Sequence, residues 1–512
     1  MKKRVNCKLT FLKIISLSVL LVFFSGITSC KKLVEIQPQQ GTIAGDNVFT
    51  DDATAIAAVS GIYYQMSIAT GAFGFTGTRS ISLLAGLGSD ELDLFSIATS
   101  DVLIGYYTNA LSVIAPAPVS GSDAWTPMYN LVYRCNSAIE GLSNSTADAL
   151  RPAIRKQLMG EAKFLRAFFY FYLVNMFGDL PLVTGTDYTI NAKLARNPVS
   201  DVYRLIIKDL KEAKNLLSSN YLDATLLAGT SDRVRPNRWA ATALLARAYL
   251  YNGNNAEAEA EATELINNNT IFDLPSLNNA FLRSSKEAIW QLQPTRTFFN
   301  AGDAPVFVTL PTGPHSSRPV YVSSRLITAF ENGDKRAVYG NWLDTTIYLV
   351  NGTNFDTAVY PFKYKEYLSN PNITIATGTQ NMTEFLMVFR LAEQYLIRSE
   401  ARAKQTNIAG AITDLDKIRG RAGLPLLATT NPGISQNALL DAILHERQVE
   451  LFSEWGHRWF DLKRTGKIDA VMTVVTPQKS QGINTWQSYQ QLYPLPQADL
   501  DKSIFLKQNP GY

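Results

Sequence analysis

Pairs of helical segments recur along this chain and constrain its fold more than any other feature. The first pair covers residues 237–251 and 256–266, and the second covers 391–404 and 409–421. In both pairs, small residues lie one helical turn apart on one face, so the two helices of a hairpin can approach closely. A repeated helix pair is typical of a tetratricopeptide-like array, although the spacing here departs from a strict period of 34 residues. The pattern predicts a mainly α fold built on a helical-repeat scaffold.

Further helical segments precede and separate these pairs. Residues 48–64 are predicted to form the first helix, because Asp51 and Asp52 at its start suit the positive end of a helix dipole. Apolar residues at helical spacing also predict helices at 125–142 and 202–217. Between them, residues 155–177 are predicted to form a long helix that is unusually rich in aromatic side chains.

Two long stretches interrupt the helical pattern. Residues 67–124 are rich in Gly, Ser and Thr, and residues 268–384 contain eight prolines, with short strands predicted at 288–293 and 306–310. A connection this long inside a compact protein is usually functional or has its own structure. We therefore expect an irregular, loop-rich ligand-binding lobe on the scaffold. The remaining parts are predicted as the helical scaffold and a C-terminal tail: 125–267, 385–465 and 466–512.

The first 30 residues have the layout of a bacterial export signal. Five basic residues between Lys2 and Lys13 precede an apolar run, and small residues lead from that run to Cys30. The run is short for a membrane span, which needs roughly 20 apolar residues. Residues 27–30, Ile-Thr-Ser-Cys, are similar to the lipobox of bacterial lipoproteins. We predict that 1–29 is a lipoprotein signal peptide, that Cys30 is lipidated, and that 30–512 is a single domain. An ordinary signal with an incidental cysteine is the alternative.

Composition excludes some classes of protein. The formal charge of +4 falls to about −1 once the five basic residues of the signal are removed, and no basic tract remains that could bind nucleic acid. Apolar residues make up 46% of the chain and charged residues 18%, the balance of a globular protein. Apart from Cys7 and Cys30 there is only Cys135, so no disulfide framework is expected.

Several separate segments resemble the SusD/RagB family of outer-membrane lipoproteins of Bacteroidetes. The most similar is the segment from Glu446 to Arg464, ERQVELFSEWGHRWFDLKR. The other segments occur in the family's order and span nearly the whole chain: the lipobox at Cys30, 125–136, 160–182, 237–253, 390–424 and 493–512.

The resemblance implies a fold and a function. The family combines a tetratricopeptide-like helical scaffold with an irregular ligand-binding lobe. Its members capture an oligosaccharide at the cell surface and pass it to a SusC-like TonB-dependent transporter. By this resemblance we expect a lipid-anchored protein on the outward face of the cell outer membrane, with no enzymatic activity and no cofactor. Two alternatives stay open: peptide capture by a RagB-like uptake lipoprotein, and a periplasmic helical-repeat scaffold that binds only protein.

The sequence offers little for catalysis by a metal or a histidine. His445 and Glu446 resemble the start of a metallopeptidase helix, but the second histidine one turn later is missing. With three histidines in the chain, we predict neither a metal site nor catalytic residues. Glu446, Glu450, Glu454 and Arg458 lie four residues apart, a spacing that predicts polar partners along a helix.

A lipid-anchored glycoside hydrolase is a further alternative. Hydrolysis of a glycosidic bond needs two carboxylates that flank it. Asp90, Glu91 and Asp93 form the nearest acidic cluster. This alternative predicts that replacing Asp90 or Glu91 abolishes turnover.

A sugar site needs exposed aromatic rings beside polar groups, because a sugar has flat C–H faces and a rim of hydroxyls. Such rings fall outside the helical pattern at 90–107 and 297–342, where Asn300 and Tyr321 are also found. The alternative is that these side chains hold irregular loops on the scaffold. The predicted ligand-binding residues are Arg79, Asp90, Phe95, Tyr106, Tyr107, Phe298, Phe299 and Trp342.

Overall fold

The helices form where apolar residues repeat at helical spacing, and the eight predicted helices begin and end within about one turn of the predicted positions. The computed structural model describes residues 48–68, 74–95, 100–113, 121–295, 300–313, 315–351, 353–366 and 381–512. Within these residues the α-helices are α1 (Asp52–Ser67), α2 (Ile81–Gly88), α3 (Asp101–Tyr107), α4 (Trp125–Asn144), α5 (Pro152–Phe177), α6 (Tyr188–Asn191), α7 (Val199–Leu216), α8 (Arg238–Tyr251), α9 (Asn255–Ile266), α10 (Ala304–Phe307), α11 (Ser324–Ala329), α12 (Leu391–Lys404), α13 (Ile408–Ala422), α14 (Leu427–Thr430), α15 (Gln436–Leu451), α16 (His457–Arg464), α17 (Ile468–Lys479) and α18 (Gln497–Leu500).

Local signals fix several helix ends. The side chain of Asn237 accepts hydrogen bonds from the backbone N–H groups of Trp239, at 3.0 Å, and Ala240, at 3.2 Å, so it caps the start of α8. Gly423 follows α13 with a φ of 79°, the left-handed conformation that commonly ends a helix and that glycine adopts at little cost. These caps explain why the predicted bounds of both helices are close to the observed ones.

Successive scaffold helices pack against one another in a continuous row. Helix α4 contacts α5, α5 contacts α7, α7 contacts α8, and α8 contacts α9. Helix α9 then contacts α12 directly, and α12 contacts both α13 and α15. From Phe49 to Tyr512 the chain forms one unit by its contacts. This row of paired helices is the tetratricopeptide-like scaffold that the sequence predicts.

The direct contact between α9 and α12 leaves residues 267–390, here called the lobe, outside the row of helices. Most strands lie in the lobe, and each pairs antiparallel with one partner: β1 with β3, β2 with β6, and β4 with β5. Because β1 precedes the scaffold in the chain and β3 belongs to the lobe, their pairing attaches the lobe to residues 74–95. The strands are β1 (Leu92–Leu94), β2 (Ala288–Leu292), β3 (Val320–Val322), β4 (Leu343–Asn351), β5 (Asn354–Pro361) and β6 (Leu386–Arg390).

The aromatic residues of α5 form the centre of the core. Phe168 is fully buried, and its ring lies 5.4 Å from Trp290 of β2, 6.1 Å from Phe389 of β6 and 5.6 Å from Trp455, measured between centroids. Edge-to-face contacts of this kind add to the free energy gained from burying the rings. The same helix therefore packs against both the scaffold and the strands of the lobe.

Three predictions about local structure were wrong. Residues 306–310 do not form a strand, because α10 covers Ala304–Phe307 with Pro305 in its first turn, where proline is tolerated. The loop-rich stretch 67–124 contains α2 and α3. The predicted tail 466–512 begins with α17, a helix of 12 residues.

A buried ionic cluster joins the lobe to the scaffold. Arg390, at the end of β6, bonds to Glu287 at 2.8 Å, Glu450 at 2.6 Å and Glu454 at 2.8 Å. Arg336 of the lobe bonds to Glu450 at 2.9 Å. These pairs are almost fully shielded from water, so each charge is stabilised by its ionic partners instead of by solvent. We call this cluster the lobe anchor; its members are Glu287, Asp334, Arg336, Lys363, Arg390, Arg421, Glu446, Glu450 and Glu454.

Glu446, Glu450, Glu454 and Arg458 do not bond to one another along a single helix, as their four-residue spacing had predicted. Helix α15 ends at Leu451, and Ser453 and Trp455 adopt positive φ angles of 56° and 49°. Glu454 and Arg458 therefore do not continue the helix of Glu446 and Glu450. The carboxylates point to arginines and a lysine that are distant in the sequence instead of to their helical neighbours.

Candidate functional site

Five of the predicted ligand-binding residues lie around α3. Asp90 and Phe95 flank β1, Tyr106 and Tyr107 end α3, and Arg79 precedes α2. Tyr106 and Arg79 both bond to Asp123. The Asp123 carboxylate accepts a hydrogen bond from the Tyr106 hydroxyl at 3.3 Å and another from an Arg79 N–H at 2.8 Å. The folding of 74–113 onto the scaffold thus gathers residues that the sequence places up to 28 positions apart.

A polar cleft of about 160 Å³ opens beside Tyr107. Four separate segments form it: the β1 region, the end of α3, the start of α11 in the lobe, and the end of α17. We call it the α3 cleft; it is lined by Asp90, Asp93, Tyr107, Ser323, Ser324, Arg325, Val475, Gln478 and Lys479.

Hydrogen bonds hold the polar side chains of the cleft in place. The Tyr107 hydroxyl donates to Asp93 Oδ1 at 3.2 Å. The Lys479 ammonium donates to the carbonyls of Leu87, at 2.7 Å, and Ser89, and lies 4.8 Å from the centroid of the Tyr107 ring. Burial lowers the pKa of Lys479 to about 8, so this group is mostly charged at neutral pH.

Aromatic rings adjoin the cleft across the β1–β3 pair. Asp93 is paired with Tyr321 in the strand register, and the Tyr321 and Phe95 ring centroids are 4.5 Å apart. Tyr348 of β4 meets Phe95 edge-on at 6.0 Å. Tyr107, Tyr321 and Tyr348 are half-buried, whereas Phe95 is buried. Phe95 therefore supports the rings that a ligand could reach.

Asp90 and Glu91 are not poised for glycoside hydrolysis. Burial alone would raise the pKa of Asp90, but two hydrogen bonds of 2.8 Å from Arg458, together with its charge, lower that pKa instead. Burial, and then the charge of Asp90, raise the pKa of Glu91 to about 8. Glu91 is 2% exposed, and its Oε1 has no hydrogen-bond partner among the described residues. One carboxylate is thus ion-paired and the other is buried and neutral, so the geometry gives no support to the hydrolase alternative.

We expect Glu91→Gln to remove a pH-dependent loss of stability. The folded chain keeps the Glu91 proton up to about pH 8, whereas the unfolded chain releases it near its ordinary pKa of 4.5. A raised folded-state pKa contributes stability that is complete below pH 4.5 and is lost as the pH rises to about 8. Relative to Glu91→Gln, the wild-type free energy of unfolding should fall by roughly 2–4 kcal/mol between about pH 5 and 8. Urea unfolding at several pH values measures this difference.

The exposed Glu257, in α9, provides the control for this titration. Glu257→Gln should follow the wild-type pH dependence throughout. Parallel stability curves for the wild type and Glu91→Gln would contradict the assignment of a neutral Glu91.

Trp342 is not a ligand platform, and that prediction was wrong. Its ring is fully buried, and its Nε1–H donates to the Leu277 carbonyl at 2.9 Å. Lys363 lies 4.8 Å from the ring centroid, and Arg421 lies 5.4 Å from it. The ring therefore packs within the lobe anchor, because cations placed over an aromatic face are stabilised there.

The other predicted residues divide into buried groups and groups outside the described residues. Tyr106 is 2% exposed, and Asn300 accepts backbone hydrogen bonds from Thr383 and Glu384 at 2.9 and 3.2 Å. Neither presents a free surface. Phe298 and Phe299 lie outside the described residues, as does Cys30.

Sequence reasoning missed Arg325, Gln478 and Lys479. Lys479 reaches the cleft from a stretch predicted as a tail, and its contact with Leu87 spans 392 positions. No local pattern marks such a contact, because it exists only once the chain is folded.

None of the described helices is both long enough and apolar enough to cross a membrane.

Comparison with known proteins finds similarity to one family. A model of the SusD family matches residues 327–512, and a second model, described as "Starch-binding associating with outer membrane", matches residues 103–250. The SusD-like protein P2 of Formosa agariphila is 27% identical, covering 92% of this chain and 95% of that relative. A SusD superfamily structure from Bacteroides vulgatus has a TM-score of 0.70 at 19% identity, covering 91% and 100% of the two chains. A laminarin-binding SusD-like protein has a TM-score of 0.67 at 23% identity, covering 90% and 99%. The chain is therefore similar to SusD-family proteins over most of its length and shares the fold of the SusD superfamily structures.

Proposed function

We propose that the protein captures an oligosaccharide in the α3 cleft and passes it to a SusC-like TonB-dependent transporter. It does so at the outward face of the outer membrane, to which acyl chains on Cys30 attach it. The observation that carries the proposal is the combination of half-buried tyrosines with polar groups at one opening. A sugar face packs on such a ring, while its hydroxyls bond to the groups beside it.

The lining of the cleft suits a ligand with many hydroxyls. Asp93 has a second carboxylate oxygen that can accept a hydroxyl, and Ser324 is exposed at the rim. The cavity is smaller than the roughly 300–1,000 Å³ of typical small-molecule pockets. It therefore holds one part of an oligosaccharide, while neighbouring units lie along Tyr321 and Tyr348.

The comparisons support the class of ligand. One similar structure is described as laminarin-binding, and one matching family model is described as starch-binding. Both descriptions name neutral glucans, and they apply to those proteins. For this chain they support glycan over peptide as the ligand.

The sequence supports attachment to the membrane. The basic start, the short apolar run and Ile-Thr-Ser-Cys at 27–30 are the features of a lipoprotein signal. Several acyl chains hold a protein on a bilayer far more firmly than one chain does. The description of the second family model as associating with the outer membrane agrees with this location.

We expect Tyr321→Ala to weaken glycan binding by roughly 5- to 10-fold, because one aromatic contact contributes about 1 kcal/mol or somewhat more. Calorimetry of the full chain in detergent, against laminari-, malto- and other oligosaccharides, identifies the ligand and measures the change. Tyr321→Phe keeps the ring and should bind within about 2-fold of wild type.

Tyr188, 80% exposed on α6 and not part of the cleft lining, provides a matched control, and Tyr188→Ala should bind as wild type does. Equal affinities for Tyr321→Ala and wild type would exclude the α3 cleft as the site. Saturable binding of peptides alone would favour the RagB-like alternative, and no saturable binding of either would favour a protein-binding scaffold.

A further inference from the structure

Two cations in the α3 cleft lack a carboxylate partner. Arg325, half-buried on α11, donates from Nη2 to the side-chain oxygen of Gln478 at 2.8 Å. Lys479 donates to two backbone carbonyls. Among the described residues, no carboxylate lies within 4.0 Å of either cation, although the chain pairs most of its other buried arginines with carboxylates.

The acidic groups near the cleft are already engaged. Asp90 is neutralised by Arg458 through two bonds of 2.8 Å. Asp93 holds the Tyr107 hydroxyl at 3.2 Å. Asp356 on β5 accepts a hydrogen bond from the Tyr348 hydroxyl at 3.2 Å and does not line the cleft. With Asp90 balanced by Arg458, which lies outside the lining, Asp93 remains against Arg325 and Lys479 and leaves one positive charge uncompensated.

We propose that the α3 cleft selects an acidic saccharide, in which one sugar unit carries a carboxylate or a sulfate group that bonds to Arg325 and Lys479. This inference rests on the proposed function and specifies its substrate class. A guanidinium forms two parallel hydrogen bonds with the oxygens of such a group, and Lys479 adds a point charge below it. The cleft has room for roughly five water molecules, about the volume of one pyranose ring.

The enclosure of the cleft favours this selection. An ion pair in a partly enclosed site is stronger than one in bulk water, because less solvent separates the charges. A neutral sugar would leave Arg325 and Lys479 to interact with its hydroxyls alone. Hydrogen bonds to an anionic oxygen are about twice as strong as those between neutral groups.

The test compares saccharides that differ only in the acidic group. Calorimetry of the full chain in detergent uses two matched pairs: oligogalacturonates with their methyl esters, and sulfated galactan oligosaccharides with their desulfated forms. We expect the acidic member of at least one pair to bind roughly 10-fold or more tightly than its neutral counterpart. The pair that shows the preference tells whether the group is a carboxylate or a sulfate.

Variants of Arg325 connect the preference to the cleft. Arg325→Gln should abolish the preference, so that the acidic and neutral members of the pair bind equally, and Arg325→Lys should keep part of it. Arg204→Gln, which removes an arginine whose side chain is 76% exposed on α7, controls for net charge and should keep the full preference.

The outcomes separate this inference from the proposed function. Equal or tighter binding of neutral glycans, or a preference that survives in Arg325→Gln, overturns the acidic-saccharide inference and leaves glycan capture standing. Absence of binding to every glycan, neutral or acidic, overturns both.

Discussion

Replacing Glu450 with alanine is expected to lower the free energy of unfolding by about 3–5 kcal/mol, because it leaves buried arginines without their shared carboxylate. Glu450 is fully buried and bonds to Arg336 at 2.9 Å, to Arg390 at 2.6 Å and to Arg421. Burial alone would raise the pKa of Glu450, but these three charges hold it well below its ordinary value. The side chain is therefore charged in the fold and is compensated by its partners.

The shift of the urea midpoint at constant slope measures this loss. Glu450→Gln keeps the shape of the side chain but removes its charge, so it should lose most of the same stability. Glu257→Ala, at an exposed position of α9, should change stability by less than about 0.5 kcal/mol. A loss below about 1 kcal/mol in Glu450→Ala would mean that water or other groups compensate the arginines, which would contradict the description of the lobe anchor.

Replacing Trp342 with alanine is expected to cost about 3–5 kcal/mol, the range for removing a large aromatic side chain from a core. The variant loses the hydrogen bond to the Leu277 carbonyl and the ring over which Lys363 and Arg390 lie, at 4.8 and 5.5 Å. Trp342→Phe keeps an aromatic face and should lose less. Denaturant unfolding measures both variants.

Glycan affinity distinguishes this structural role from a role in binding. Below the unfolding transition, Trp342→Ala should bind the ligand within about 2-fold of wild type, since Trp342 does not line the α3 cleft. Loss of binding with unchanged stability would contradict the buried position of the ring and restore the original prediction for this residue.

The scaffold could be predicted because its information is local. Each long helix carries apolar residues at helical spacing, and signals such as Asn237 and Gly423 mark ends within a few residues. The segment from Glu446 to Arg464 also carries the family resemblance, which the comparisons confirm. Helices α2 and α3 were missed because each has no more than eight residues, too few for a helical repeat to stand out.

The site could be predicted only in part, because burial depends on distant contacts. Tyr107 and Tyr321 were recognised as aromatic residues outside the helical pattern, and they do adjoin the cleft. Trp342 has the same local context, yet cations that come from elsewhere in the chain enclose it. Arg325 and Gln478 meet across 153 positions, so their sequence context gives no sign of the contact.

The contact between α9 and α12 has a consequence for how ligand preference can change. The chain leaves the row of helices at Ile266, the end of α9, and rejoins it at Leu391, the start of α12, and these two helices contact each other. The entropy of closing such an excursion rises only slowly with its length, so insertions and deletions within it cost little stability. Those that spare the lobe anchor leave the helical row intact. Homologous proteins can therefore evolve different ligand preferences by insertions and deletions in residues 267–390, while the helical row is conserved.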